Sequence, residues 1–383
     1  MKTFFKFTVV FLVVIAMTAV SCSSEEAVVN NSPTISYVRK TDPISSDSLI
    51  VSAGQGQFLA LIGDNLQNTV EVWFNDQKSN LKPTLVSKKS ILTAVPKGIP
   101  VAVNNKIRLI DNIGGVYSYD FKVKIAEPAI SSMLNEFTPE GKIAVIQGDY
   151  FYEPVTVTFT GGAKATIASI VNDRILNVIV PANAQPGPIT VTTNFGSTIS
   201  DFYFRDNRNT FVSSDPYKGY SGANYVVTNP GPSDPVAVNG NYIRVKKPIG
   251  AWEWTPFVEG SANDFGTLAK AIPDAAILHP EDYNFKFEVN TVKPFNKNAI
   301  KFQLAMPGDI IDNKFAYVWQ PPYNTNGEWE TVTIPFNEMV KLFNPVVSAN
   351  GYSVRFLFHG DGALDADISF DNFRVVPKVL KLK

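Results

Sequence analysis

The sequence predicts an all-β protein of 383 residues: two small β-sandwiches in tandem, then a larger jelly-roll-type sandwich. Three observations carry this. Apolar and polar residues alternate over short runs bounded by Gly, Pro, Asn and Asp, which is the period of strands with one buried face. One block of the chain recurs 85 residues later, so two copies of a unit follow one another. The composition, 24 Gly and 26 Pro beside 27 Phe and 14 Tyr, suits many short strands and turns.

Composition also narrows function. With 45% hydrophobic and 18% charged residues the chain is globular rather than disordered. Lys and Arg number 34 against 35 Asp and Glu, a net charge of −1, which leaves no basic field for nucleic acid and no polybasic stripe for a membrane surface. Two histidines and one cysteine exclude internal disulfides, Cys-type zinc sites and Cys/His catalysis, so neither a metal nor another cofactor is expected.

Residues 1–21 read as a secretory signal peptide. Lys2 and Lys6 flank the start of an apolar run, Phe7 to Val20, which at about fourteen residues is too short to span a bilayer comfortably. Ala19-Val20-Ser21 lead directly into Cys22, the only cysteine of the chain. This resembles a bacterial lipobox, which implies diacylation of the Cys22 thiol. Ser23-Ser24-Glu25-Glu26 resembles the acidic export signal of Bacteroidota surface lipoproteins. Residues 22–32 then form a lipidated tether, and several acyl chains anchor stably where one would be marginal. The implied location is the cell outer membrane, lipid-anchored and facing the exterior.

The repeat occupies residues 33–127 and 128–205. Gln57-Phe58-Leu59-Ala60-Leu61-Ile62-Gly63-Asp64 matches Lys142-Ile143-Ala144-Val145-Ile146-Gln147-Gly148-Asp149. At the same offset Val70-Glu71-Val72-Trp73-Phe74 falls on Val155-Thr156-Val157-Thr158-Phe159, and the strand closing on Pro96 falls on the one closing on Pro181. Gly187-Pro188-Ile189-Thr190-Val191-Thr192 and Phe202-Tyr203-Phe204 complete the second copy. The pattern resembles the TIG/IPT immunoglobulin-like family, whose modules usually act as spacers. Glu127-Pro128 reads as a short, stiff hinge. Trp73 alternates with Val72 and Phe74 and so points outward, as a singly exposed aromatic.

From Asp206 the texture changes, and residues 206–383 read as one sandwich. Phe285, Phe287 and Val289 alternate with Lys286 and Glu288; Ile300, Phe302 and Leu304 alternate with Lys301 and Gln303; Val354, Phe356 and Phe358 alternate with Arg355. Each strand therefore has a core face and a polar face, and two stacked sheets of this kind make a jelly roll. Trp329-Glu330-Thr331-Val332-Thr333-Ile334-Pro335 resembles a strand of many jelly-roll carbohydrate-binding modules, and Ile368 to Val375 resembles their closing strand. With the lipobox and the spacers, the domain order resembles that of Bacteroidota surface glycan-binding proteins of the B type, in the position of SusE and SusF. The resemblance implies a non-catalytic surface lipoprotein that binds a plant-type polysaccharide, a β-glucan such as xyloglucan or mixed-linkage glucan, through an aromatic platform in its last domain. It also implies presentation of the glycan to a SusC/SusD-like uptake complex. A different class, a surface adhesin or structural lipoprotein that contacts protein, is the alternative.

Sugar rings offer apolar C–H faces that stack on flat aromatic side chains. Four of the five tryptophans follow residue 206. Trp252 and Trp254 are an i, i+2 pair whose rings would leave one face of a strand about 6.5–7 Å apart. Trp319, with Tyr323 beyond Pro321-Pro322, offers a second shelf at a proline-rigidified tip. Gln303 and Arg355, on the polar faces of their strands, are the hydrogen-bonding candidates. Trp329 lies in a strand shared by modules of many specificities and reads as structural. The acidic residues Asp361, Asp365, Asp367 and Asp371 show neither the pairing of a glycosidase nor the spacing of an EF-hand. His279 and His359 read as loop residues without a partner. If Cys22 carries the anchor, Cys22→Ala abolishes lipidation and releases the protein; a mutant still partitioning into detergent in a phase-separation assay refutes the lipobox.

Overall fold

The structure is a computed structural model that describes residues 32–42, 44 and 48–378; the signal peptide, Cys22 and the tether lie outside the described residues. Among the described residues no helix is long and apolar enough to cross a membrane. The chain divides into two compact units, residues 1–125 and 126–383.

The first unit is a small sandwich. Strands Thr34–Lys40, Phe58–Asp64 and Ser90–Ala94 form one sheet, and Gln77–Lys78, Thr69–Phe74, Lys106–Asp111 and Val116–Asp120 form the other. A parallel pair, Ser52–Gly54 with Lys122–Lys124, flanks them. Val38, Leu59, Leu61, Val72, Phe74, Ile91, Ile107 and Leu109 fill the space between the sheets, all essentially inaccessible to solvent. Trp73 points away from this core as its alternation requires, but its surface is taken. Its indole N–H donates to Glu71 at 2.7 Å, while Lys78 and Arg108 lie 5.9 and 5.6 Å from the ring.

The second unit holds two sandwiches. The one after residue 126 repeats the first: Ala129–Met133, Ile143–Asp149, Ile175–Ile179 and Thr166–Asn172 face Thr156–Thr160, Gln185–Thr193 and Gly196–Ile199. The repeated strands Phe58–Asp64 and Ile143–Asp149 have the same length and the same glycine, for a steric reason. A Cβ at Gly63 would lie 1.8 Å from the carbonyl oxygen of Thr34, and one at Gly148 would lie 2.0 Å from that of Ala129. Only glycine permits the first strand of each copy to approach so closely.

The C-terminal sandwich stacks a larger sheet on a smaller one. The larger runs Val226–Val227, Tyr242–Ile249, Leu364–Pro377, Tyr283–Thr291 and Trp329–Pro335, with Thr210–Val212 also paired to Leu364–Pro377. The smaller runs Thr255–Gly260, Ser353–Phe358, Ile300–Ala305 and Tyr317–Trp319. Their shared core is rich in phenylalanine; Phe257 stacks on Phe370 at 4.6 Å, and Phe302 meets Phe356 edge-on at 4.9 Å. Trp329 is buried, donates its indole N–H to the Val236 carbonyl at 2.7 Å and packs edge-on against Tyr242.

The outer face of the larger sheet is not open to water. Lys286 and Arg374 are directly paired across neighbouring strands, and both point out of the sandwich toward the segment Leu134–Phe137 of the preceding one. Arg374 is fully buried and is held by Glu288, at 2.8 and 3.0 Å, and by Glu136 of the second sandwich, at 2.7 Å. Lys286 bonds the other Glu136 oxygen. Thr331 donates its N–H to the Leu134 carbonyl at 2.7 Å, accepts from the Glu136 N–H at 2.9 Å and donates its hydroxyl to Glu288 at 3.0 Å. Two cations and two carboxylates are thus enclosed between the sandwiches. Burial pushes Glu288 above the ordinary glutamate range, opposed by Arg374.

Removing one member of such a cluster leaves an uncompensated buried charge. Glu136→Ala in the full chain is expected to cost about 3–5 kcal/mol of unfolding free energy, read by urea denaturation. A loss below about 1 kcal/mol, the scale of an exposed pair, would show that the cluster does not hold the two sandwiches together.

Candidate functional site

With one outer face closed, the outer face of the smaller sheet is where the aromatic candidates have to be sought. Its register assigns the sides. Thr255 pairs with Phe358, Phe358 with Ile300 and Ile300 with Trp319. Phe358 and Ile300 belong to the core, so this row faces inward. Alternation then sends Trp254, Pro256, His359, Leu357, Lys301 and Val318 outward. Glu259, Arg355 and Gln303 form a further outward row, in direct register.

Trp252 and Trp254 are 60% and 46% exposed and lie at one end of this face. They do not share a strand. Trp252 has a positive φ of 58° and sits in a turn, with its N–H bonded to the Gly360 carbonyl at 2.8 Å. Of the twelve non-glycine residues with positive φ among the described residues nine are asparagine, so a tryptophan there is an outlier of the kind that collects at functional sites. The strand geometry anticipated for the pair is replaced by a shared support: both rings pack edge-on against His359, at 5.5 and 5.3 Å. His359 is half-buried, and its Nδ1 is enclosed without a hydrogen-bond partner among the described residues. The reading of His359 as a loop residue without a partner is corrected: it takes the outward place that follows Phe358, and both rings pack on it.

The turn between the tryptophans is fixed by Glu253. Its carboxylate accepts from Lys247 Nζ at 2.6 Å, the Gly250 N–H at 2.8 Å and the Thr255 hydroxyl at 3.0 Å. These bonds favour the charged form, Lys247 first, and hold the carboxyl at about 2. Asn298 ties the same turn to the opposite loop, donating to the Gly250 and Gly362 carbonyls at 3.3 and 3.0 Å.

Arg355 stands on the same face, its guanidinium 5.1 Å from the Trp254 ring, and it bonds Glu259 and the Ile311 carbonyl. Gln303 corrects its expectation. It is on the outward face but is only 1% exposed, because the connection after strand Ile300–Ala305 folds back and Asn313 accepts from its amide at 2.7 Å. Its Oε1 is buried without a partner among the described residues.

Trp319 and Tyr323 are corrected as well. Val318 takes the outward place, so Trp319 turns inward and its ring meets Phe295 and Phe287 at 5.4 and 5.5 Å. Tyr323 packs on Trp319 at 5.1 Å and donates its hydroxyl to Glu330 at 2.8 Å, and burial raises it above the ordinary tyrosine range. The two therefore line the core edge and do not join the exposed pair as a shelf. Among the acidic residues, Asp367 bonds Arg244 at 2.7 and 2.9 Å and Asp365 bonds Lys293 at 2.6 Å. No group of three or more His, Cys, Asp or Glu side chains placed to hold a metal occurs among the described residues. His279 lies 3.6 Å from Glu281, exposed and remote in sequence from the tryptophans.

Residues 204–377, the C-terminal sandwich, match the family model of the surface glycan-binding protein B xyloglucan binding domain. An IPT/TIG domain-containing protein of Bacteroides ovatus is 27% identical over 217 residues, which cover 51% of this chain and 44% of that protein; the match thus spans less than half the length of that relative. Among solved structures, the surface glycan-binding protein PbSGBP-B of Prevotella bryantii is similar in fold, with a TM-score of 0.66 at 22% identity, over 91% of this chain and 99% of that one. The family model it matches is that of a binding domain. Over residues 204–377 the chain is thus similar to the xyloglucan binding domain of surface glycan-binding protein B.

Proposed function

We propose that the protein is a surface lipoprotein that binds a β-linked glucan, xyloglucan or mixed-linkage glucan, on the outer face of the smaller C-terminal sheet, and presents it for uptake by a SusC/SusD-like complex. The observation that carries this reading is the pair Trp252 and Trp254, exposed side by side on His359 and locked by Glu253. Two large flat rings held in place before binding lose little entropy when a sugar stacks on them. Arg355 beside Trp254 adds charged donors for sugar hydroxyls. Lipidation of Cys22 would set this face outside the outer membrane. The xyloglucan in the matched family's description supports the glucan class, and an extended β-linked chain presents successive ring faces to the pair.

Calorimetry of the mature chain with glucan oligosaccharides tests the reading. Trp252→Ala and Trp254→Ala are each expected to lose about 1–3 kcal/mol of binding, roughly five- to 150-fold in affinity, with little change in Tm. Trp329→Ala and Trp319→Ala should instead lower stability by up to about 3–5 kcal/mol, as core aromatics do. Unchanged affinity in folded Trp252→Ala and Trp254→Ala, or binding only to protein partners in a pull-down, would sink the glucan reading.

The turn carries its own pH dependence. Glu253 goes from its ordinary 4.5 to about 2 in the fold, so its support is complete above about 4.5 and is lost as pH falls toward 2. Glucan affinity should therefore hold from neutral pH down to about 4.5 and fall below it, while Glu253→Gln weakens binding at all pH values and flattens that acid limb. An identical acid limb in Glu253→Gln would remove Glu253 from this role.

A further inference from the structure

The outer face of the smaller sheet carries one cation that the fold leaves unanswered. Lys301 projects from the middle of strand Ile300–Ala305, with Leu357 as its cross-strand neighbour on one side and Val318 on the other. Six cations on the strands of this sandwich are buried or half-buried. Five have carboxylate partners: Arg244 with Asp234 and Asp367, Lys247 with Glu253, Lys286 with Glu136, Arg355 with Glu259 and Arg374 with Glu288. Lys301 is half-buried, and its ammonium has no side-chain hydrogen bond or ion pair among the described residues. Burial alone acts on its amine, which lies below the ordinary lysine range.

A partly desolvated ammonium over an apolar floor costs stability unless something bonds it. Natural folds break such a local rule chiefly where function requires it. The ammonium has three donors and no acceptor, so what it lacks is a set of oxygen acceptors arriving from solvent. Two strand spacings, about 10 Å between backbones, separate its strand from the one that Trp254 precedes. Between them lie half-buried Pro256 and Leu357, which is itself fully covered, with His359 and Arg355 on either side along the strand.

Resting on the glucan reading above, we infer that Lys301 is the specificity-determining donor of this face: it bonds hydroxyl oxygens of a neutral oligosaccharide whose next ring stacks on Trp254. An oligosaccharide crossing the strands engages both groups at once, so the arrangement favours a chain over a single sugar. It also makes the lysine a residue kept at the expense of stability.

K301M tests this, since methionine keeps the stem and removes the ammonium. The mature chain, K301M and Trp254→Ala are titrated by calorimetry with a xyloglucan-derived oligosaccharide and with glucose, and their melting temperatures are measured. The expected result is a loss of about 10- to 100-fold in oligosaccharide affinity for K301M, the scale of a charged hydrogen bond, together with a Tm equal to or above that of the wild type. Wild-type affinity in K301M overturns the role of Lys301 while leaving the tryptophan face standing. A lowered Tm with proportionate loss of binding also overturns it, as a purely structural role. Failure of the wild type to bind any neutral oligosaccharide overturns the glucan reading and this inference together, and is recognised because the unmutated chain already fails.

Discussion

The burial of Arg374 between two carboxylates from different sandwiches is the constraint on which the rest of the second unit depends. Glu288 belongs to the same sheet as Arg374, but Glu136 comes from a segment more than two hundred residues earlier. A guanidinium with no access to water must be bonded on several sides, and the C-terminal sandwich alone supplies one carboxylate for two enclosed cations. The second sandwich completes the charge balance, so it is a structural part of the binding module and not only a spacer. Closing that face also decides where function can sit: a two-layer sandwich has two outer faces, and only the smaller sheet's retains exposed tryptophans.

On that remaining face the exposed groups are rigid. Trp252 is held in a left-handed turn by a backbone bond to Gly360, by Glu253 across the turn and by His359 beneath its ring. Gly360 is small because a Cβ there would lie 2.4 Å from the Ala299 nitrogen, and this close approach brings the two loops together. Each contact is modest alone; together they fix the relative positions of two rings before any ligand arrives, which is where aromatic binding surfaces gain affinity.

The polar residues of the face sort by how far the fold satisfies them. Arg355 is shared between Glu259 and the Trp254 ring, Gln303 is covered by Asn313, and Lys301 is left with desolvation alone. All three occupy the outward positions of neighbouring strands. Their different surroundings come from the connection through Ile311 and Asn313, which folds over one end of the sheet and bonds Gln303 and Arg355 but not Lys301.

Much of this was legible in the chain itself. The 85-residue repeat, the alternation within each strand and the turn residues between them determined an all-β protein with a duplicated unit and a larger last domain, because strand period and turn chemistry are local. Alternation also placed Lys286, Glu288, Gln303 and Arg355 off the core and picked out Trp252 and Trp254. It could not say which outer face another domain would cover, so Lys286 and Glu288, on the polar face of their strand, are enclosed all the same. Nor could it choose between Val318 and Trp319 for the outward place at the sheet edge, which cross-strand register with Ile300 decides. His359 acquires its role only when two loops more than a hundred residues apart in sequence are brought together. Local pattern gives each side chain a face; what that face meets is set by contacts between distant segments, and these exist only in the folded chain.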